Sequence, residues 1–253
     1  MTQVDETGVT EVAARWKFEL VDLTRPISEA SAYALWGDLA VERQWTRDIT
    51  VTYMSDFAVA NATSCQVSLP DHIATHLDAP VHTVDGGAFL ENVDITRVIG
   101  EAVVLDLETG DRDYGYTAQD LADAKPEIQR DDIVLLYSGY RDASPTMRVH
   151  QSYLTPEAAE WLVSRGVKAV GCEPLGIEHI PDGYLVHRWP EKDTDDLPAW
   201  PAHQILLKNN VYIIEGLANL RLIRGKRVRF AALPLLFPGL SGCPVRAVAW
   251  LDK

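Results

Sequence analysis

The sequence predicts an α/β domain built around a mixed central sheet. Two apolar runs, EAVVLDL (101–107) and DDIVLLYS (131–138), show little alternation, as is typical of strands covered on both faces. The segment TPEAAEWLVSRG (155–166) has helical spacing and is followed by the apolar run VKAVG (167–171). This strand–helix–strand alternation in the second half of the chain favours a sheet that contains parallel strands.

The first half of the chain supplies a tail and two further strands. Residues 1–14 are polar and acidic, so we expect a flexible tail there and a single catalytic domain over 15–253. The runs ITVTYM (49–54) and SCQVSL (64–69) are β-branched or alternating, and both predict strands. No internal repeat or low-complexity linker divides the chain.

The helices of the second half carry clear end signals. TAQDLADA (117–124) begins with a capping Thr and an acidic first turn. In the segment 155–166, Thr155 can cap the helix, Pro156 occupies its first position and Gly166 ends it. The remaining predicted elements are a helix PAHQILLKNN (201–210), a strand VYIIE (211–215), and closing strands RVRFAALPL (227–235) and PVRAVAWL (244–251). Between them, WPEKDTDDLPAWP (189–201) is a long polar loop that suits either a lid or a plain surface excursion.

Composition excludes several classes of function. The chain has 23 Lys and Arg against 37 Asp and Glu, a formal net charge of −14, and no basic run, which argues against nucleic-acid binding. Neither a signal peptide nor a run of about 18 apolar residues is present, so we expect a cytoplasmic protein without membrane spans. The three cysteines form no C-x-x-C pair, and we expect small buried residues in a reducing compartment.

The segment DHIATHLDAPVH (71–82) carries the candidate chemistry. His72 and His76 have the i, i+4 spacing of two imidazoles on one face of a helical turn. Pro80 prevents a continuous helix, and a bend near Asp78 would return its carboxylate toward the two rings. Two imidazoles and a carboxylate leave metal positions open for water, and His82 lies beyond the bend as a candidate base. The structural alternative is a cluster that only braces a turn.

A second candidate pair follows later in the chain. His203 precedes an apolar helical run, and Glu215 ends the strand VYIIE. A carboxylate at the end of a buried strand is costly unless it is paired or coordinates a metal. Each of the two residues also has a purely structural interpretation.

The segment HIATHLDAPVH resembles the H-x-G-T-H-x-D-A-P-x-H signature of the putative cyclase family, which includes bacterial kynurenine formamidase and isatin hydrolase. The likeness continues in order and spacing through VDLTRPI (21–27), DDIVLLYSGY (131–140), LTPEAAEWLVSRGVKAVGCE (154–173), PAHQILLKNNVYIIEGLANL (201–220) and LPLLFPGLSGCPVRAVA (233–249). It implies a swivelling β/β/α domain, assembled as a homodimer or homotetramer.

The resemblance also implies roles for the candidate residues. His72, His76 and Asp78 would bind one divalent metal, zinc or manganese, and Asp78, His203 and Glu215 would complete a second position in dinuclear members. His82 would be the general base. The sequence alone leaves open whether one metal or two are bound in each subunit.

This chain departs from the family pattern at several positions near the signature motifs. Ala74 replaces the signature Gly, and Gly216 replaces the Asn that follows the metal-binding Glu. In GCEPLGIE and YSGYRD the differing residues are Glu173, Gly176, Glu178, Tyr140 and Arg141. The metal positions are intact, so the departures put the substrate in doubt rather than the chemistry.

Four aromatic residues and one arginine are candidates for substrate binding. Trp36, Phe57 and Tyr140 could line a pocket, as could Trp200, although packing in the core or a lid would equally account for them. Arg141 could grip a substrate carboxylate with two hydrogen bonds, or form a surface salt bridge.

We therefore predict a metal-dependent hydrolase that opens an amide, lactam or ester bond of a small substrate, which can be cyclic. A non-hydrolytic cyclase, dehydratase or isomerase on the same metal site is the first alternative. A metal-dependent binding protein without turnover is the second. A serine hydrolase lacks the G-x-S-x-G elbow, and a nucleotide-binding enzyme lacks G-x-G-x-x-G and the P-loop.

Overall fold

The computed structural model describes residues 9–10, 18–27, 49–111, 113–139, 151–179 and 200–252. The strands are β1 (Val9–Thr10), β2 (Phe18–Asp22), β3 (Thr50–Ser55), β4 (Ser64–Ser68), β5 (His76–Asp78), β6 (Ile99–Asp106), β7 (Gly115–Tyr116), β8 (Ile133–Tyr137), β9 (Tyr153–Leu154), β10 (Ala169–Cys172), β11 (Tyr212–Glu215), β12 (Arg227–Pro234) and β13 (Gly242–Asp252). The helices are α1 (Phe57–Ala60), α2 (Ala118–Asp123), α3 (Pro156–Arg165) and α4 (Pro201–Lys208). Short 3-10 turns cover Pro80–His82, Leu90–Asn92, Ile95–Val98 and Leu220–Leu222.

Seven strands close into a barrel-like ring in the order β13-β12-β6-β8-β10-β11-β5, because β13 pairs with both β12 and β5. Strands β6, β8, β10 and β11 run parallel to one another. At the two ends of this group, β12 pairs antiparallel with β6 and β5 pairs antiparallel with β11, and β13 pairs antiparallel with both β12 and β5. Outside the ring, β2 pairs with β13 and β1 with β2. The predicted α/β class with a mixed sheet is confirmed, and the swivelling β/β/α description stays a prediction.

The parallel strands are joined by helices, as parallel connections require. In chain order, α2 lies between β6 and β8, α3 between β8 and β10, and α4 between β10 and β11. Every residue of β8, β10 and β11 is buried, which explains their continuous apolar sequences. Neighbouring helices pack against each other, and α3 buries Ala158, Ala159 and Leu162.

The helix ends follow the signals in the sequence. Thr117 and Asp120 form a reciprocal capping box at the start of α2. The Thr155 side chain accepts a hydrogen bond from the Ala158 N–H at the start of α3. Gly166 ends α3 with a φ of 74°, in the left-handed region that glycine adopts without strain.

The expected helical turn at His72 and His76 is wrong. Residues 71–75 form bends, and His76–Asp78 is strand β5, inserted between β11 and β13. Two neighbouring strands supply hydrogen-bond partners that a single helical turn lacks, and Ala74 has a φ of 53° that no right-handed helix accommodates. A strand has a side-chain period of two, so His76 and Asp78 point to the same face without any bend.

Strands β3 and β4 form a separate two-stranded hairpin with α1 between them. Neither the strands nor the helix contains a buried residue. Cys65 lies on β4 and is exposed, unlike the buried Cys172 and Cys243, so the expectation of three buried cysteines is wrong for this one. All three thiols are free.

The predicted tail and domain boundaries are only partly within the described residues. Val9–Thr10, inside the expected tail, pair with β2, and the rest of residues 1–14 lies outside the described ranges. Within those ranges, no helix has the length and apolar character needed to cross a bilayer. The boundary between a tail and a domain at residue 15 stays a prediction.

Among the glycines of the described ranges, Gly216 has the least room for a side chain. It has a φ of 68°, and a Cβ there would lie 2.2 Å from the carbonyl oxygen of Ala74. Gly225 has nearly the same φ, 69°, but a Cβ there would meet nothing within 4 Å.

We expect Gly225→Ala to lower the free energy of unfolding by about 1–2 kcal/mol, the cost of a left-handed residue. Gly216→Ala should lower the free energy of unfolding by about 2–5 kcal/mol, because overpacking adds to the cost of the left-handed residue. Denaturant unfolding of both variants measures the difference, and equal losses would contradict the steric argument.

Candidate metal centre

The site is centred on Asp78, a fully buried carboxylate on β5. Three imidazoles surround it. The Nδ1 atom of His72 lies 2.8 Å from Oδ1, Nε2 of His76 lies 3.4 Å from Oδ1, and Nε2 of His203 lies 3.5 Å from Oδ2. His76 shares the strand with Asp78, His72 comes from the bends before it, and His203 comes from the first turn of α4.

Glu215 completes the cluster from the neighbouring strand. It is the last residue of β11 and pairs with His76 in the antiparallel register between β11 and β5. Its Oε2 atom lies 3.6 Å from Nε2 of His76, and its Oε1 atom lies 3.2 Å from Nε2 of His203. The structure therefore brings together all five residues that the resemblance implies as metal ligands.

The carboxylate of Asp78 shows that the cluster suits a cation. Both of its oxygens are buried, and within the described ranges neither accepts a hydrogen bond of normal geometry, although three ring nitrogens face them. Burying an ionised carboxylate in this way costs several kcal/mol unless a positive charge compensates it. Ligand atoms of His76, Asp78 and Glu215 lie within 4.8 Å of one another, as do those of His72, Asp78 and His82. Imidazole and carboxylate groups are the ligands that zinc and manganese take, so the residues fit such a metal.

The protonation of the cluster reflects this excess of negative charge. Burial lowers the pKa of His76, but the Asp78 carboxylate and the charge of Glu215 outweigh it and raise the pKa to about 9. Burial acts the same way on His203, and Asp78, Glu178 and Glu215 together raise its pKa well above the usual value. Protons on these rings neutralise the carboxylates, and a bound cation would displace them.

His82 differs from the other histidines of the site. It ends the 3-10 turn Pro80–His82, and its ring stacks on that of His72 with the centroids 3.9 Å apart. His82 is exposed as a residue, but desolvation of its ring beside the cluster and the neighbouring charges of His72 and His203 lower its pKa to about 4, so the ring is neutral at pH 7. No group in the described part of the chain hydrogen-bonds this ring. A neutral, unengaged imidazole can accept a proton, although its place beside His72 and Asp78 also allows it to be a ligand.

In His72 and His76, the ring nitrogen that does not face Asp78 makes a contact outside the cluster. Nε2 of His72 lies 2.9 Å from Oγ of Ser241, and that hydroxyl donates to Oδ2 of Asp71 at 2.7 Å. Nδ1 of His76 lies 3.2 Å from the carbonyl oxygen of Ala74. Such outer contacts fix which nitrogen is free to bind a metal.

Nothing in the sequence points to Ser241, whose place in the segment SGCPVR indicates only a turn. The backbone at Ser241 can come this close to His72 because the next residue, Gly242, has no side chain. A Cβ there would lie 2.6 Å from the ring of His72. The resemblance drew attention to Glu178, but only as a departure from the family pattern. In the structure its Oε1 atom lies 3.1 Å from Nδ1 of His203.

A polar network ties the two halves of the site together. Thr75, between the two ligand histidines, donates from its hydroxyl to the carbonyl oxygen of Gly216 at 2.7 Å. The same hydroxyl accepts from the backbone N–H of Arg25 at 2.8 Å, and Nε of Arg25 donates to the Gly216 carbonyl at 3.0 Å. Two of the departures from the family pattern, Ala74 and Gly216, are in direct contact here. The segment VDLTRPI thus fixes the backbone on either side of the ligands.

The expected substrate residues are only partly described. Phe57 lies on α1 of the exposed hairpin and is 65% exposed, so it is not part of the buried cluster. Trp200 is the residue before α4, and its ring meets that of His203 edge-on, with the centroids 5.8 Å apart. Trp36, Tyr140 and Arg141 lie outside the described residues.

Comparisons with known proteins give relatives along most of the chain. A kynurenine formamidase of Salinibacter ruber is 27% identical over 240 residues, which cover 90% of this chain and 96% of that protein. An isatin hydrolase of Roseibium aggregatum is 27% identical over 205 residues, which cover 73% of each chain.

Solved structures show the same fold. An isatin hydrolase bound to the product analogue thioisatinate superposes with a TM-score of 0.77 at 23% identity, over 94% of both chains. A predicted metal-dependent hydrolase from Bacillus stearothermophilus gives a TM-score of 0.68 at 26% identity, over 93% of this chain and 99% of that one. Residues 21–179, which include the end of β2, the signature segment and three of the parallel strands, match the family model described as "Putative cyclase". The chain therefore belongs to the putative cyclase family.

Proposed function

We propose that this chain is a metal-dependent hydrolase that opens an amide, lactam or ester bond of a small substrate, cyclic substrates included. The observation that carries the proposal is the buried Asp78 carboxylate, which faces three imidazoles and accepts no normal hydrogen bond from the described residues. The names of the relatives, isatin hydrolase and kynurenine formamidase, support hydrolysis of a non-peptide C–N bond.

The proposed roles are those that the family resemblance implies, and the clustering of these residues around Asp78 supports them. His72, His76 and Asp78 would hold one cation, and Asp78, His203 and Glu215 would hold a second. Bound zinc or manganese supplies Lewis acidity to a water molecule and to the carbonyl of the substrate. His82, neutral and beside this cluster, takes the proton of the water and delivers it to the leaving nitrogen or oxygen. The imidazole ligands are neutral, which preserves the Lewis acidity that an all-carboxylate site would reduce.

Ring closure is the alternative reaction on the same site. One structural relative, 25% identical with a TM-score of 0.67, is described as a potential metal-dependent hydrolase with cyclase activity. A cation and a neutral His82 would serve an enolisation or dehydration equally well. The mass of the product separates the reactions, since hydrolysis adds one water, dehydrative closure removes one and isomerisation leaves the mass unchanged.

His76→Ala should remove at least one metal ion from the site, because His76 faces the carboxylates of both Asp78 and Glu215. Elemental analysis of the wild type should give one or two equivalents of zinc or manganese per chain, and His76→Ala should lose at least one. His179→Ala is the matched control, since His179 is exposed and its ring meets Tyr153 rather than the cluster. A wild type that takes up neither metal would disprove the proposal.

His82→Ala should keep the metal and slow turnover of isatin or a formylated aromatic amide at least about 100-fold, the usual scale for one general base. The reason is that His82 stacks on a proposed ligand without being needed to hold the cation. Metal content and steady-state rates are measured on the same preparation. Loss of the metal would make His82 a ligand, and an unchanged rate would exclude it as the base.

We also propose that the chain forms a homodimer or homotetramer in the cytoplasm and acts on a small molecule, with no nucleic-acid or membrane partner. The exposed apolar residues of the β3–β4 hairpin, among them Tyr53, Met54 and Phe57, support self-association. Two-stranded hairpins are marginal in water without further packing.

Cys65 reports on this surface, because it is the exposed cysteine and pairs with Tyr53 across the hairpin. If the hairpin is buried between subunits, Cys65 in the native protein should react with a maleimide at least about tenfold more slowly than an unfolded control. Sedimentation should then give two or four chains per particle. A monomer with a rapidly labelled Cys65 would contradict the proposed assembly.

A further inference from the structure

Glu178 is a buried carboxylate in the turn that follows β10, and only 4% of the residue is exposed. One of its oxygens, Oε1, accepts a hydrogen bond from the backbone N–H of His203 at 2.8 Å. The same oxygen lies 3.1 Å from Nδ1 of the His203 ring. A single atom therefore contacts both the backbone and the side chain of a proposed ligand.

This contact determines which ring nitrogen of His203 is free. An ionised carboxylate only accepts hydrogen bonds, so Nδ1 carries the proton and Nε2 keeps its lone pair when the ring is neutral. Nε2 is the atom that faces Oδ2 of Asp78 at 3.5 Å and Oε1 of Glu215 at 3.2 Å. We propose that Glu178 is a positioning residue that presents Nε2 of His203 to the second metal position, an inference that rests on the proposed metal-dependent function.

The start of α4 leaves a backbone N–H that the carboxylate of Glu178 can accept from. The side chain of the N-cap residue Trp200 does not cap the helix, and the first turn of the helix contains no acidic residue. Glu178 satisfies the free N–H of His203 in that turn, where a negative charge is favourable. The direction of the His203 ring is therefore fixed relative to the helix backbone as well as to the cluster.

The turn that carries Glu178 is itself held against the second position. Nε2 of Gln151 donates to the carbonyl oxygens of Gly176 at 2.6 Å and of Glu178 at 3.3 Å. The N–H of Ile177 donates to Oε1 of Glu215 at 2.9 Å.

By contrast, His72 and His76 are held by Ser241 and by the carbonyl of Ala74. Removing Glu178 should accordingly weaken the second metal position and spare the first.

Metal binding to the full chain tests the proposal directly. Equilibrium dialysis against manganese or zinc, followed by elemental analysis, gives the affinity of each equivalent. Glu178→Ala should weaken the His203-dependent equivalent about 10–100-fold, the usual effect of removing such an outer contact. Glu178→Gln should lose less affinity, because the carbonyl oxygen of the glutamine side chain still accepts a hydrogen bond from Nδ1 of His203.

Glu173→Gln is the matched control and should retain wild-type affinity. Glu173 is equally buried in the same segment, but its carboxylate accepts hydrogen bonds from the N–H and hydroxyl of Ser138.

A double-mutant comparison separates positioning from general destabilisation. If Glu178 acts through His203, His203→Ala/Glu178→Ala should bind metal as His203→Ala does, because the interaction is already lost. Melting curves of the metal-free proteins check that each variant is folded, and Glu178→Gln provides a second variant if the alanine does not fold.

Wild-type affinity in Glu178→Ala would overturn the inference, as would a further loss in the double variant. Metal uptake that is unchanged by His203→Ala would also overturn it, while leaving the first position intact. A wild type that binds no metal would instead overturn the proposed function itself.

Discussion

The site depends on one unfavourable interaction, the burial of the Asp78 carboxylate without normal hydrogen bonds from the described residues. Its position is enforced by the sheet, since β5 is paired on both sides and Asp78 lies opposite Ile213 and Gly242. Placing Glu215 on the next strand adds a second buried negative charge within reach of the same imidazoles. Such an arrangement is stable only with compensating positive charge, supplied by protons on His76 and His203 or by a metal. The closed ring of strands holds β5 beside both β11 and β13.

The histidines are distinguished by what holds their second nitrogen. The second ring nitrogen of His72 faces the hydroxyl of a serine, and that of His76 faces a backbone carbonyl. The second ring nitrogen of His203 faces a carboxylate. His82 has no such partner among the described residues and stacks on His72 instead. A held ring presents a fixed lone pair, as a ligand should, whereas an unheld neutral ring can rotate and accept a proton. The outer contacts thus support the division into ligands and base that the sequence motif suggests.

Two departures from the family pattern, Ala74 and Gly216, are in contact in the structure. Ala74 adopts a positive φ, and its carbonyl oxygen lies where a Cβ at position 216 would need to be. Gly216 relieves that contact and also places its own carbonyl to accept from Thr75 and Arg25. The changes therefore affect the backbone between two proposed ligands, His76 and Glu215, without altering either ligand. The departure at Glu178 is of another kind, because that side chain contacts His203 directly.

The sequence by itself determined the α/β class, nearly every described strand and helix of the second half, and the five ligand candidates with His82. The class and the elements follow from local signals, namely apolar runs and the caps at Thr117 and Thr155. The concentration of His and Asp in residues 71–82 singles out four of the site residues, and the family resemblance implies the ligand roles of His203 and Glu215. Only the tertiary structure decided that His76 and Asp78 lie on a strand, because the choice depended on the hydrogen bonds offered by β11 and β13. It alone placed Ser241 and Glu178 behind the ligands, since these residues are 169 and 25 positions from the rings they hold. Contacts over such distances in the chain depend on how the sheet closes, which no local pattern of residues encodes.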